Sequence, residues 1–128
     1  MSDDSKQALS RHILIVEDDM DILMTLRDRL DAEGCHVDAV RSGMEALLKV
    51  SEKPYGAVIL DMRLPDMSGT SVQKALAARH PNLPIIVLSA ERSQKLKQAC
   101  FDSGAAAYLT KPCDFNKLRT VVRKVLRE

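Results

Sequence analysis

No CxxC pair and no Cys/His cluster occurs in this sequence. The three cysteines, Cys35, Cys100 and Cys113, are odd in number and far apart, which argues against a disulfide framework or a zinc site. Reduced thiols of a cytoplasmic protein are the expectation. No apolar run approaches the roughly 20 residues of a membrane-spanning helix. The opening MSDDSKQALS is polar and acidic, unlike a signal peptide, and residues 1–10 are expected to form a flexible tail. There is little net charge, +1 with a pI near 7.7, so the total makes no case for direct nucleic-acid or membrane contact. Internal repeats, linkers and low-complexity stretches are also missing. The 128 residues fit one domain, expected over 11–128.

What is present is ordinary for a globular protein, with 45% hydrophobic and 29% charged residues. The charge is unevenly spread. Residues 1–62 carry a net −6 and residues 63–128 a net +7. An acidic site formed early in the chain and a basic surface formed late would give this division.

Five short apolar runs stand out: Ile13–Val16, Val37–Val40 (broken by Asp38), Ala57–Leu60, Ile85–Leu88 and Ala106–Leu109. Continuous rather than alternating runs imply strands buried on both faces, as in a parallel sheet covered by helices. Helical patterns lie between them. The first shows Ile22, Leu23, Leu26 and Leu30 behind a cap at Asp18 or Asp19. The second opens on a capping box, Ser42-Gly-Met-Glu45. The third carries Val72, Ala75 and Leu76 and runs to about Arg79. The fourth, near Ser93–Ser103, has only a thin stripe of Leu96, Ala99, Cys100 and Phe101 before Gly104, a helix stop. The last, capped by Asp114, buries Leu118, Val121, Val122 and Val125. Strand and helix thus alternate five times. With right-handed crossovers this gives a doubly wound α/β fold, a three-layer sandwich of five parallel strands and five helices.

Polar residues end the runs: Glu17-Asp18-Asp19, Asp61, Ser89 and Thr110-Lys111-Pro112. In a parallel sheet these ends share one edge, where open α/β sheets bind ligands. Three carboxylates there, Glu17, Asp18 and Asp61, would repel one another unless a cation intervened. Mg²⁺ suits such oxygen donors, and it typically takes one or two carboxylates together with waters and a phosphate. A carboxylate can also attack phosphorus, and phosphoryl transfer depends mainly on positioning and charge neutralisation. Alone, Asp18 and Asp19 read as helix caps, Ser89 as a cap of the fourth helix and Lys111 as a solvated lysine. Their joint placement at the ends of different strands favours a shared site.

The segments Ile13-Leu-Ile-Val-Glu-Asp18, Ile59-Leu-Asp-Met-Arg-Leu-Pro65 with Ser68-Gly69, Val87-Leu-Ser-Ala90 and Tyr108-Leu-Thr-Lys-Pro112 resemble, in this order and spacing, the receiver domain of two-component response regulators (CheY-like). The resemblance covers about Arg11 to Arg127 and implies the strand order 2-1-3-4-5. It implies that Asp61 is phosphorylated by a sensor histidine kinase or phosphotransfer protein. Mg²⁺ would be held by Glu17, Asp18, Asp61 and the backbone carbonyl of Arg63. Ser89 and Lys111 would bind the phosphoryl oxygens, and Tyr108 would turn inward after phosphorylation as a switch. A cis Lys111-Pro112 bond is implied as well.

The family's lifetime-tuning positions fall on Arg63 and Glu91. Their opposite charges suggest an ion pair over the pocket that hinders attacking water. Cys113 departs from the Phe of many relatives and would loosen packing near the last helix. The face of the fourth helix, fifth strand and fifth helix is where relatives often form homodimers. Arg92, Lys95, Lys97, Lys117, Arg119, Arg123, Lys124 and Arg127 crowd these two helices and suggest a docking face. No output domain or effector is recognisable, so the chain reads as a stand-alone regulator or as a receiver cut from a larger protein. A signalling phosphoacceptor, not a turnover enzyme, is therefore expected. Phosphatases with an Asp nucleophile usually place a second Asp where this chain has Arg63. A flavin-binding module of the same sheet order would find its phosphate repelled by Glu17-Asp-Asp-Met-Asp21.

Overall fold

The computed structural model describes residues 11–126; the expected tail 1–10 and Arg127 lie outside them. Five strands alternate with five helices: β1 His12–Val16, α1 Met20–Ala32, β2 His36–Val40, α2 Gly43–Glu52, β3 Ala57–Leu60, α3 Gly69–Arg79, β4 Ile85–Ser89, α4 Gln94–Asp102, β5 Ala107–Thr110 and α5 Phe115–Val125. All strand pairs are parallel, in the order β2-β1-β3-β4-β5. Among the described residues no helix is long and apolar enough to cross a membrane.

The continuous apolar runs have a direct physical cause. Alternate residues of each strand enter opposite cores. Leu14, Val16, Val58, Leu60, Ile85 and Val87 pack with Ala46, Val50, Val72, Leu76 and Cys100 of α2, α3 and α4. Ile13, Ile15, Ala57, Ile59, Ile86 and Leu88 pack with Leu30 of α1 and Leu118 and Val122 of α5. Edge strand β2 explains the run broken at Asp38. Its middle residues are half-buried, and the Asp38 carboxylate accepts from the Tyr55 hydroxyl at 2.7 Å and pairs with Lys53 at 3.0 Å.

The caps show how local sequence fixes the helix starts. Asp19 caps α1 by accepting from the Ile22 N–H, which leaves the Asp18 side chain for other work. Ser42 caps α2 through the Glu45 N–H. The reciprocal arm of the expected box is displaced, because Glu45 accepts from the N–H of Arg41 rather than Ser42. Asp66, 22 and 23 residues beyond Met44 and Gly43, accepts both of their free N–H groups at 3.0 and 2.8 Å. Those bonds hold its carboxyl below the ordinary value. Ser93, not Ser89, caps α4. The stripe of α4 is thinner than expected: Cys100 is buried and Leu96 half-buried, while Ala99 and Phe101 are exposed.

Candidate functional site

The site lies at the C-terminal edge of the sheet. Val16 of β1 and Leu60 of β3 are partners in register, so the residues that follow them, Glu17 and Asp61, emerge side by side. The Asp61 N–H donates to the Val16 carbonyl at 3.0 Å and fixes that alignment. Ser89 ends β4 opposite Thr110 of β5, and the Lys111 N–H donates to the Ser89 carbonyl at 2.7 Å. Four chain segments therefore meet in one place. The Lys111-Pro112 bond is cis.

The Lys111 ammonium ties the acidic residues together. It hydrogen-bonds the Glu17 carboxylate and lies 3.3 Å from Asp61 Oδ2. Glu17, Asp61 and Ser89 are 3%, 8% and 0% exposed. Burial raises the Glu17 carboxyl above its ordinary value and nearby Asp61 adds to the rise, while the Lys111 ammonium and the Asp19 N–H oppose it. Two buried carboxylates this close together are a setting in which added positive charge is favourable.

Asp18 points to the rim, so the expected gathering of three carboxylates is reduced to two, Glu17 and Asp61. Its carboxylate stands 3.6 Å from Arg41, whose guanidinium also donates to the Asp18 carbonyl at 3.0 and 3.2 Å. Arg41 was not singled out in the sequence, since only the fold brings β2's end beside β1's. Among the described residues, no three His, Cys, Asp or Glu side chains are gathered so as to hold a metal by themselves. The donors fit Mg²⁺ nonetheless. Glu17 and Asp61 offer oxygen ligands only, two carboxylates suffice when waters and phosphate complete the shell, and Asp18 is tied only through an exposed pair.

Glu91 is held at three points. Its carboxylate pairs with Arg63 across the pocket mouth, its N–H donates to Ser89 Oγ at 3.1 Å, and its carbonyl accepts from the Tyr108 hydroxyl at 2.7 Å. Contrary to the expectation that it turns inward on phosphorylation, Tyr108 is packed in the core on the α2–α4 face in the unmodified chain, held there by its hydroxyl's bond to the Glu91 carbonyl. Gly69 admits the remaining wall. A Cβ there would lie 2.4 Å from Met62 Cα and 2.7 Å from the Asp61 carbonyl oxygen, so only glycine lets α3 press against the phosphoacceptor segment.

Two expectations need correction or refinement. Arg119 and Arg123 do not join a basic docking face; they turn to Glu33 at the end of α1, at 3.1 and 3.5 Å. Cys113 is half-buried against the α1–α5 core, and a mostly apolar groove of about 420 Å³ runs beside it, lined by Ile22, Leu26, Leu88 and Pro112 among others.

A doubly wound sheet carrying buried acids, a hydroxyl and a lysine at the carboxyl ends of its strands defines an open α/β protein with its polar cluster at the edge where that class binds ligands. Comparison narrows the class. The family model described as response regulator receiver domain matches residues 13–123, and the chain belongs to that family. It is 38% identical over 117 residues to the uncharacterized transcriptional regulatory protein YkoG of Bacillus subtilis (strain 168), covering 91% of this chain and 51% of that protein. It is 36% identical to the transcriptional regulatory protein PrrA of Mycobacterium leprae (strain TN), covering 92% and 51%. The chain thus spans about half the length of these relatives.

Among solved structures, a CheY-like receiver domain from Methanospirillum hungatei JF-1 superposes with a TM-score of 0.87 at 28% identity, covering 91% of this chain and 93% of that one. The receiver domain of sensor histidine kinase PA1611 from Pseudomonas aeruginosa PAO1, solved with magnesium in its active-site cleft, gives 0.83 at 28% identity, covering 91% and 98%.

Proposed function

We propose that Asp61 is the phosphoacceptor and that a phosphohistidine of a sensor kinase or phosphotransfer protein is the donor. The observation that carries this reading is the Lys111 ammonium shared by two buried carboxylates, one of them Asp61, at the sheet's ligand-binding edge. A carboxylate oxygen of Asp61 attacks phosphorus, the P–N bond breaks, and the imidazole departs with the bonding pair and takes up a proton. Glu17, Asp18, Asp61 and the carbonyl of Arg63 would hold Mg²⁺, which when bound neutralises phosphoryl charge. Lys111, released from Glu17, pairs with a phosphoryl oxygen. Among the described residues Ser89 Oγ accepts the Glu91 N–H, and its hydroxyl proton can donate to a phosphoryl oxygen.

When Ser89 turns to the phosphoryl group, the Glu91 N–H loses its acceptor. Tyr108 holds the carbonyl of the same residue. The β4–α4 connection thus receives the chemical change and passes it to β5 and α4, biasing a two-state equilibrium of that face. The same face supports a homodimer or an effector contact, and α4 with Lys95 and Lys97 remains basic there. An output domain or effector outside this chain would read the change. Arg63, engaged with Glu91, supplies no general acid for turnover on small substrates. Its ion pair instead screens the acyl phosphate from water and sets its lifetime.

Incubation with acetyl phosphate and Mg²⁺ followed by intact-mass measurement tests the proposal. One added phosphoryl group is expected on the wild type and none on Asp61→Ala. Equal modification of both proteins would overturn it.

A further inference from the structure

Within the apolar face of α3, between Val72 and Leu76, sits a fully buried glutamine. Gln73 is 0% exposed, and its Nε2 donates to the carbonyl of Cys100 in α4 at 2.7 Å. Its Oε1 has no hydrogen-bond partner among the described residues. A buried, half-satisfied amide is costly, and an aliphatic side chain of similar volume would fill the site without that cost. What the amide adds is one directional bond between two helices.

That bond lands on a particular place. Cys100 lies three residues before the α4 C-cap, Ser103. Its carbonyl also accepts the Ala105 N–H at 3.0 Å while the Gly104 N–H reaches Phe101 at 3.0 Å, with Gly104 at φ +99°. This is a Schellman ending. One carbonyl therefore joins the helix's own stop to a neighbouring helix. The Cys100 side chain is the single buried one in α4, and its Sγ meets Met62 Sδ at 3.8 Å, next to Asp61. The other end of α4 is held differently. Ser93 caps it from within, Gln94 and Lys95 are exposed, and Leu96 is only partly buried.

We propose that Gln73 is a positioning residue that anchors the C-terminal end of α4, so that the helix hinges there and moves at the end nearest Ser89 and Glu91. A nine-residue helix is a lever of about 13 Å. The trigger of the motion rests on the phosphoacceptor reading; the anchor does not.

Residue-resolved amide exchange on the full chain tests the anchor without any ligand, in Gln73→Leu and, against shape effects, Gln73→Met. The Ser103, Gly104 and Ala105 amides are expected to exchange about fivefold faster, the loss of one net hydrogen bond, with the melting temperature unchanged or raised. Unchanged exchange at these amides would overturn the anchor. So would faster exchange across every helix together with a lowered melting temperature, which marks a merely structural role.

Beryllofluoride with Mg²⁺ then reads the lever. Wild-type amide shifts should concentrate at 91–97 and spread to 100–105 in Gln73→Leu; wild-type shifts centred on 100–105 would refute the hinge. A chain that ignores beryllofluoride would count against the phosphoacceptor reading, while the exchange measurement still decides the anchor.

Discussion

Gly69→Ala should damage both the stability and the chemistry of this domain, although replacing glycine by alanine in a helix ordinarily helps. The helical gain is at most about 0.8–1 kcal/mol, and less at a first helical position. Against it stands a Cβ 2.4 Å from Met62 Cα and 2.7 Å from the Asp61 carbonyl oxygen, where ordinary contact begins near 3.4 Å. The obstacles are backbone atoms, so no rotamer relieves them. α3 and the β3 end must part by about 1 Å, and overpacking of that kind costs about 1–3 kcal/mol.

For a domain of this size the melting temperature should fall by about 4–12 °C. The displaced segment carries Asp61, 3.3 Å from Lys111. Misplacement by about 1 Å can cost up to a hundredfold in rate, so phosphorylation by acetyl phosphate should slow at least about tenfold. Gly104→Ala is the control. Nothing lies within 4 Å of its added Cβ, but φ is +99°. It should lose about 1–2 kcal/mol through backbone strain alone, with the phosphorylation rate intact. Thermal melts by circular dichroism and a phosphorylation time course decide. A Gly69→Ala protein with wild-type melting and rate would refute the reasoning.

Other consequences follow from single contacts. Arg63→Ala should shorten the phosphoryl lifetime several-fold and change stability by less than about 1 kcal/mol, since the Arg63 side chain is 73% exposed; an unchanged lifetime in a dephosphorylation assay rejects the screening role. Tyr108→Phe removes the bond to the Glu91 carbonyl and should cost about 1 kcal/mol, with faster amide exchange confined to the 89–93 connection; a wild-type exchange map there contradicts the coupling. The His12 ring, stacked on His36 at 4.8 Å, should make the domain less stable in acid. Burial, then the His36 and Lys53 charges, lower the His12 pKa from 6.5, opposed by Asp38. The unfolded chain binds the proton more readily, so stability is full above that ordinary value and is lost as pH falls through it toward the folded value. Urea midpoints at about pH 7.5 and about pH 5.5 should differ less in His12→Gln than in the wild type.

Much of the fold was legible because both-face burial leaves an unmistakable mark: Ala57–Leu60 matches β3 residue for residue. β5 begins at Ala107 instead of Ala106, because Ala106 is exposed and Ala107 is the first residue in the ladder. Glu17, Asp61, Ser89 and Lys111 were legible as strand-end polar groups that the fold brings together, and the ion pair of Arg63 and Glu91 was suggested by opposite charges at two positions that the resemblance picked out. What could not be read was set by contacts remote in sequence. Asp66 caps a helix that starts 23 residues earlier, and Arg41 meets Asp18 only through the β1–β2 register. Gln73 was not singled out, because polarity gives no hint of burial when the partner is a carbonyl on another helix. Arg119 and Arg123 were counted with the basic face because local charge does not reveal that Glu33 faces them.

A phosphoryl group carried by one carboxylate of this edge, and by no other, leaves a mark that chemistry can read. Borohydride reduction after treatment with acetyl phosphate and Mg²⁺ converts an acyl phosphate to the alcohol and marks the residue that bore it. Peptide sequencing by mass spectrometry should find homoserine at position 61 alone. The mark at Glu17 or Asp18, or its absence from a folded protein, would contradict the account.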